Sequence, residues 1–428
     1  MSGVAPVTAS GATVSVRSGV TYGALGLPLA FVALPLYVIL PNHYATVFGV
    51  PLAVLGALLL ATRLLDAFAD PWIGRWTDAW FAHSTRRVLA ISALAAIVLS
   101  MGFHALFFPQ VSEPEDLLVW CGGFLAVTYL SYSVLSVVHQ AWGARLGGDA
   151  TQRARIVAWR EGLALTGVLV ASVLPSLAGL GPTSAVFVVA LTVGVALLAI
   201  APRSVELPTT RPATSMRLPL ANPGFRRLLL VFMVNGVASA VPATLVLFFI
   251  RDRLQLPAYE PLFLFSYFAA GALSMPLWVR AVARFGLSHS WLAGMLLAIV
   301  AFVGAASLGA GDLLAFTLIC LASGLALGAD LALPGALLAG VIQRGGHSGQ
   351  AEGAYFGWWN FATKLNLALA AGLSLPLLSA FGYTPGARDA DALQALALAY
   401  GLLPCALKLL AAALLYGAWI RNPLGEST

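Results

Sequence analysis

The stretch "RLLDAFADPWIG", Arg63–Gly74, continues without a break from the apolar run "VPLAVLGALLLAT" that begins at Val50. Arg63, Asp66 and Asp70 stand at i, i+3 and i+7, which on a helix places all three on one face. The two aspartates are four residues apart, roughly 6 Å along a helix axis. A charge in the middle of a membrane-crossing helix costs about 2.5–3.5 kcal/mol on insertion scales, so charges on one such face call for partners or for a role. Two carboxylates at this spacing can jointly coordinate Na⁺ or share a proton. The plainer alternative is that Asp70, just ahead of Pro71, only solvates a helix end.

The rest of the chain decides that this stretch belongs in a membrane. Of its 428 residues, 60% are hydrophobic and 9% charged, with a mean hydropathy of +0.90. Soluble chains carry about a quarter charged residues. Apolar runs of membrane-crossing length recur twelve times, near 20–42, 50–77, 88–108, 116–143, 154–178, 183–201, 224–250, 259–283, 287–309, 312–342, 352–381 and 392–419. One connection is longer than the others, "APRSVELPTTRPATSMRLPLANPGFRR", and is rich in Pro, Thr and Arg. It divides the chain into a six-helix half at 1–202, a linker at 203–222 and a second six-helix half at 223–428. The expected fold is therefore an all-α membrane protein of twelve transmembrane helices in two bundles.

The cations set the orientation. With both termini and the even-to-odd loops on one side, that side holds sixteen arginines, Arg75, Arg145, Arg155, Arg211 and Arg280 among them. The other side holds three, Arg251, Arg253 and Arg388. The asymmetry predicts a multi-pass protein of the cytoplasmic (inner) membrane with both termini cytoplasmic. It also accounts for the net charge of +6 without nucleic acid as a partner. The first 18 residues are small and polar with Arg17 as the only charge, which predicts no signal peptide. Cys121, Cys320 and Cys405 lie apart in apolar runs and read as core thiols.

Two six-helix halves joined by a basic loop are the layout of a secondary transporter, with its binding site near the midplane between the halves. The intramembrane charges then become candidates. Lys364, central in its run, calls for a carboxylate across the bundle, with Asp66 or Asp70 as the natural partner. Arg160 and Glu161 are adjacent and point in different directions, so mutual neutralisation is not expected. Arg160 could face the interior or snorkel to the surface. Lys408 reads as structural or snorkelling, with Asp330 either its partner or a cavity-lining group. His139 reads as structural. Tyr355, Phe356, Trp358 and Trp359 precede Lys364 and suit helix packing, or else stacking on a ligand. The chain contains no G-x-x-x-x-G-K-[ST], H-E-x-x-H or G-x-S-x-G motif, which argues against an ATP-driven pump, a familiar hydrolase or any enzyme.

"RLLDAFADPWIGRWTD" resembles the second-helix signature of the glycoside–pentoside–hexuronide:cation symporters, a melibiose permease-like branch of the major facilitator superfamily. The matching residues are Arg63, Asp66, Asp70, Pro71, Gly74 and Asp78. "QAWGARL", Arg160 and Lys364 extend the resemblance into both halves. It implies a major facilitator fold in which Asp66 and Asp70 bind the coupling cation and Lys364 and Arg63 supply counter-charge. Arg160, Trp142, Trp359 and Asp330 would then be substrate-binding. The aspartates that grip sugar in melibiose permease are replaced by Pro28 and Val138. The branch also resembles the vertebrate sodium-coupled lysophospholipid symporter.

The expected function is thus a cation-coupled symporter for a sugar or glycoside. A lysophospholipid or other amphiphile is the alternative substrate, and a non-transporting membrane sensor is the rival of another class. Leu135 falls where the family places a hydroxyl near the cation, and Ala69 replaces a common amide, which favours H⁺ over Na⁺. No cofactor is expected, nor any metal beyond Na⁺ at Asp66 and Asp70. The expected partners are the substrate and membrane lipid, and the expected assembly is a monomer.

Overall fold

The computed structural model describes residues 15–203 and 215–421. Within these, every apolar run is helical and there is no strand. We number the twelve spans in chain order: α1 Val16–Val47, α2 Leu52–His83, α3 Thr85–Phe107, α4 Pro114–Arg145, α5 Ala150–Ala178 and α6 Leu180–Ala199. The second half holds α7 Pro223–Phe248, α8 at 260–285, α9 at 287–303, α10 Leu313–Arg344, α11 Glu352–Ala380 and α12 Ala390–Leu415. Most of the linker expected at 203–222 lies at 204–214, outside the described residues, and Arg211 with it. Its end forms a short helix, Leu218–Ala221, ahead of α7.

Local chemistry sets the ends of the spans. Ser84, Asp149, Asn222 and Asp389 cap α3, α5, α7 and α12, each side-chain oxygen accepting from a first-turn N–H that the helix itself cannot satisfy. Between α8 and α9 the only break is Gly286, at φ +77°, a conformation that disfavours any side chain. The main difference from the sequence reading lies in α2, which runs on past Pro71 to His83. Asp70 is therefore a mid-helix residue with no exposure, and the helix-end alternative does not hold.

Apolar packing divides the described residues into two bundles. One core gathers side chains of α1 to α6, among them Phe31, Phe103, Leu135 and Phe187. Two others occupy the second half, one around Trp291 that also takes in Ala154, Val157, Ala158 and Leu165 of α5, and one around Phe249, Phe316 and Tyr400. Leucines and valines such as Leu64, Val189, Leu273, Val300 and Leu318 stay exposed, as expected where the solvent is lipid.

Between the bundles, α2 lies against α11 and α5 against α8 and α10. Small residues make the α2–α11 approach possible. A Cβ on Gly74 would collide with the Gly353 carbonyl, and one on Gly357 with the Asp70 carbonyl and Pro71 Cα. The contact runs from Gly353 to Lys364, roughly 17 Å of helix starting at the arginine-rich end. Gly74→Val should wedge this end apart, so that a cysteine placed at the fully buried Thr77 reacts with a thiol reagent that leaves it untouched when Gly74 is present.

Candidate functional site

Asp66 and Asp70 share a face of α2 that meets α4 and α11. Lys364 of α11 reaches across the boundary between bundles, with its Nζ 2.6 Å from Asp66 Oδ2 and 2.7 Å from Asp70 Oδ2. Ser133 of α4 closes the arrangement. Its Oγ accepts from Lys364 Nζ at 2.8 Å and donates to Asp66 Oδ1 at 2.6 Å. The Asp66 side chain is 5% exposed and that of Asp70 is fully buried. Asp70 touches the ammonium only as an ion, since neither of its oxygens receives an aligned hydrogen bond. Two carboxylates against one ammonium leave this cluster one positive charge short when all three are ionised. A buried charge without a counter-ion is strongly disfavoured, so the cluster favours a state in which one of its charges is neutralised.

Sequence reasoning brought Asp66, Asp70 and Lys364 forward but not Ser133, which supplies the hydroxyl that Leu135 withholds. Leu135, two residues further along, packs in the core of the first bundle. A serine in "YLSYSVLSVV" has no spacing signal that would single it out. Arg63 acts on Asp66 only at a distance. Its guanidinium carbon lies 3.9 Å from the centre of the Tyr37 ring, a cation–π contact, and it makes no ion pair among the described residues.

A second ionic contact locks the arginine-rich end. Asp78 accepts from the backbone N–H of Gly353 and Ala354 at 2.7 and 2.8 Å, capping α11 from the other bundle. Arg145 of α4 stands 3.5 Å from Asp78 and 3.1 Å from Glu352, and donates to the Gly349 carbonyl at 3.2 Å. Asp78 and Glu352 are almost fully buried. The connection carrying Gly349 is itself tied down, because the Tyr355 hydroxyl receives Asn222 and donates to His347 Nδ1, both at 2.8 Å. Burial holds the His347 imidazole below its usual pKa.

A third cluster lies wholly within the second bundle. Asp330 of α10 accepts from Lys408 of α12 at 2.6 Å, Asn235 at 3.1 Å, Ser239 at 3.2 Å and Trp291 at 3.0 Å. Lys408 also donates to Asn235 Oδ1 and Ser239 Oγ, so both charges are saturated. The cluster floors a cavity of about 150 Å³ with mostly apolar walls, among them Phe263, Tyr267, Phe302 and Tyr400.

The other residues expected at the substrate site are spread over both bundles. Trp142 is buried against Phe81 and donates to the Pro202 carbonyl at 2.8 Å, which makes it a packing residue of the first bundle. Trp359 stacks on Phe232 with ring centres 3.8 Å apart. Arg160 does pair with its neighbour, contrary to the expectation for adjacent residues. Its Nε and a terminal nitrogen lie 2.9 and 2.6 Å from Glu161 Oε1, because the long guanidinium stem can fold back along the helix. The pair sits where α5 faces Gly335 of α10. His139 is fixed to the Tyr22 carbonyl at 2.8 Å, and the three cysteines are free and buried.

The family model described as MFS/sugar transport protein matches residues 20–420. The chain belongs to that family. It is a multi-pass membrane transporter of the major facilitator type, as its helices and layout require. Among curated proteins it is similar to the inner membrane symporter YicJ of Escherichia coli, at 29% identity over 138 residues, 31% of this chain and 28% of that one. It is also similar to the putative glycoside/cation symporter YagG of Escherichia coli, at 27% over 161 residues, 37% and 34% of the two chains. The matched stretches thus span about a third of each relative. Among solved structures, a bacterial homologue of the iron transporter ferroportin in an outward-facing state shares the fold. Its TM-score is 0.71 at 16% identity, covering 95% of this chain and 100% of that one. The Escherichia coli fucose:proton symporter does so with a TM-score of 0.64 at 14% identity, covering 93% and 97%.

Arg145→Gln leaves Asp78 and Glu352 buried together without a cation. Breaking a buried pair in this way costs about 3–5 kcal/mol. The expected result is a clearly lower melting temperature for the purified variant, partly restored by adding Glu352→Gln.

Proposed function

We infer that this transporter is a cation-coupled symporter whose coupling site is Asp66, Asp70, Lys364 and Ser133. The observation that carries the reading is the missing positive charge in that cluster, together with the position of Lys364 on the opposite bundle. With both carboxylates ionised, Lys364 holds α11 to α2. A cation arriving at Asp70 or Asp66 competes for the same oxygens and loosens the hold, so occupancy of the site alters how firmly the bundles are joined. Coupling requires such a link, since each ligand must change the carrier's affinity for the other.

The proton is the better candidate for the coupling ion. Ser133 is the one side-chain hydroxyl bonded to the cluster, whereas sodium needs several oxygen ligands, and Lys364 already occupies the gap between the carboxylates. A proton needs only one Asp70 oxygen, and Oδ1 has no hydrogen-bond partner among the described residues. The arginine-rich end is assigned to the cytoplasm by the positive-inside rule, which makes the closed form one that receives ligand from outside.

The substrate is assigned to the sugar or glycoside class, supported by the family description and by the curated relative named for glycoside/cation symport. Arg160, paired with Glu161 where α5 faces α10, is the polar group proposed to meet it. An amphiphile is the second reading, and the apolar cavity floored by Asp330 and Lys408 favours it. Thermal stabilisation of the purified protein by a panel of sugars and lysophospholipids separates the two classes.

The coupling claim is tested in proteoliposomes with whichever ligand stabilises the protein. An imposed pH gradient should drive accumulation. Asp70→Asn should abolish that accumulation while substrate-for-substrate exchange continues. Undiminished pH-driven accumulation in Asp70→Asn would overturn the assignment. Stabilisation by sodium at constant pH that Asp66→Asn removes would make sodium the coupling ion.

A further inference from the structure

On the flank of the molecule, α5 of the first bundle and α8 of the second enclose a groove of about 540 Å³. Its end nearest the arginine-rich surface carries Arg155 and Arg280, one from each bundle. Neither guanidinium has an ion pair among the described residues, and the neighbouring Trp159 packs its indole against Gly19 of α1. The remainder of the groove is walled by Gly162, Leu163, Leu273 and Pro276. From Arg155 to Thr166 the α5 wall is roughly 17 Å long, about half of a hydrocarbon core of about 30 Å. A cationic head region thus leads into an apolar trough one leaflet deep.

We propose that this groove is a binding site for one anionic phospholipid of the leaflet at the arginine-rich end. Its phosphate lies on Arg155 and Arg280, and one acyl chain lies along Gly162, Leu163, Leu273 and Pro276. Charge complementarity selects the occupant. Arg155 and Arg280 line the same groove from opposite bundles, and a phosphate held by both would bridge the bundles. The lipid is a fixed component of the closed form, separate from the coupling cluster and from the cargo, and the inference does not depend on which ion or substrate is carried.

Gly162 offers a way to test the trough apart from the charges. A Cβ there would meet only Met275 Cγ, at 3.8 Å, so a larger side chain would project into open groove. The full-length purified protein is titrated with phosphatidylglycerol or phosphatidylcholine in detergent and lipid retention is read by native mass spectrometry. One phosphatidylglycerol per chain should be retained in preference to phosphatidylcholine. Arg155→Gln and Arg280→Gln should each weaken retention about fivefold, the scale of one basic residue at an anionic surface. Gly162→Leu should remove the retained lipid with both arginines present and without lowering the lipid-free melting temperature. Equal retention of the two lipids would overturn the proposal, as would undiminished phosphatidylglycerol binding in Gly162→Leu. Displacement of the lipid by millimolar inorganic phosphate alone would overturn the acyl-chain assignment.

Discussion

The structure depends on a charge imbalance that the membrane does not tolerate for long. Asp66 and Asp70 are buried on one helix, and the ammonium that faces them belongs to the other half of the molecule. Because the hydrocarbon offers no water to solvate a carboxylate, each of these groups must find its partner within the protein. Placing that partner on α11 makes satisfaction of the charges and apposition of the bundles the same event. The glycines of the α2–α11 contact serve this end, since only close helix approach lets a lysine of fixed length reach both carboxylates.

The two buried lysines show how far geometry separates one role from another. Lys408 and Asp330 lie in a single bundle, each with its hydrogen-bonding capacity filled by Asn235, Ser239 and, for the carboxylate, Trp291. Nothing in that cluster is left for a further ion to satisfy, and relative motion of the bundles does not stretch it. Lys364 is placed the other way, between bundles and between two acceptors of which one, Asp70, has no aligned donor. A saturated cluster inside a rigid body stabilises that body. An unsaturated one across a moving boundary is where a ligand can change the balance between states.

The sequence made the architecture legible because membrane spans are long, apolar and separated by loops in which charge is concentrated. The spacing of Arg63, Asp66 and Asp70 also showed which face of α2 matters, and the central position of Lys364 showed that it needed a carboxylate. Spacing alone could not resolve contacts between helices. Ser133 carries no mark that separates it from Ser131 or Ser136, and only the crossing of α4 over α2 brings it to Asp66. Arg63 shares a face with the aspartates, yet its long side chain turns to Tyr37 of α1, a choice made by tertiary packing. The same limit applied to Trp142, whose position beside "GARL" in the chain gave no sign that its indole turns back to the Pro202 carbonyl.

The closed end poses a problem of its own, because a latch must be firm and still open in each cycle. Asp78, Arg145 and Glu352 meet it with a network that is strong only while complete. Arg145 neutralises two carboxylates at once, and Asp78 spends its hydrogen bonds on the first turn of α11, where the free N–H groups and the helix dipole favour an anion. Apart from the Arg145–Asp78 pair, which joins α4 to α2 within the first bundle, these contacts cross between bundles, so separation of the bundles exposes them to water together. Water then replaces the lost bonds at the surface, where exposed ion pairs are worth little. The latch is therefore stiff when dry and weak when wet, and the step that governs opening is the first entry of water between α2 and α11. The Asp66–Asp70–Lys364 cluster lies at the inner limit of that same contact, so loosening Lys364 there weakens the dry contact from within.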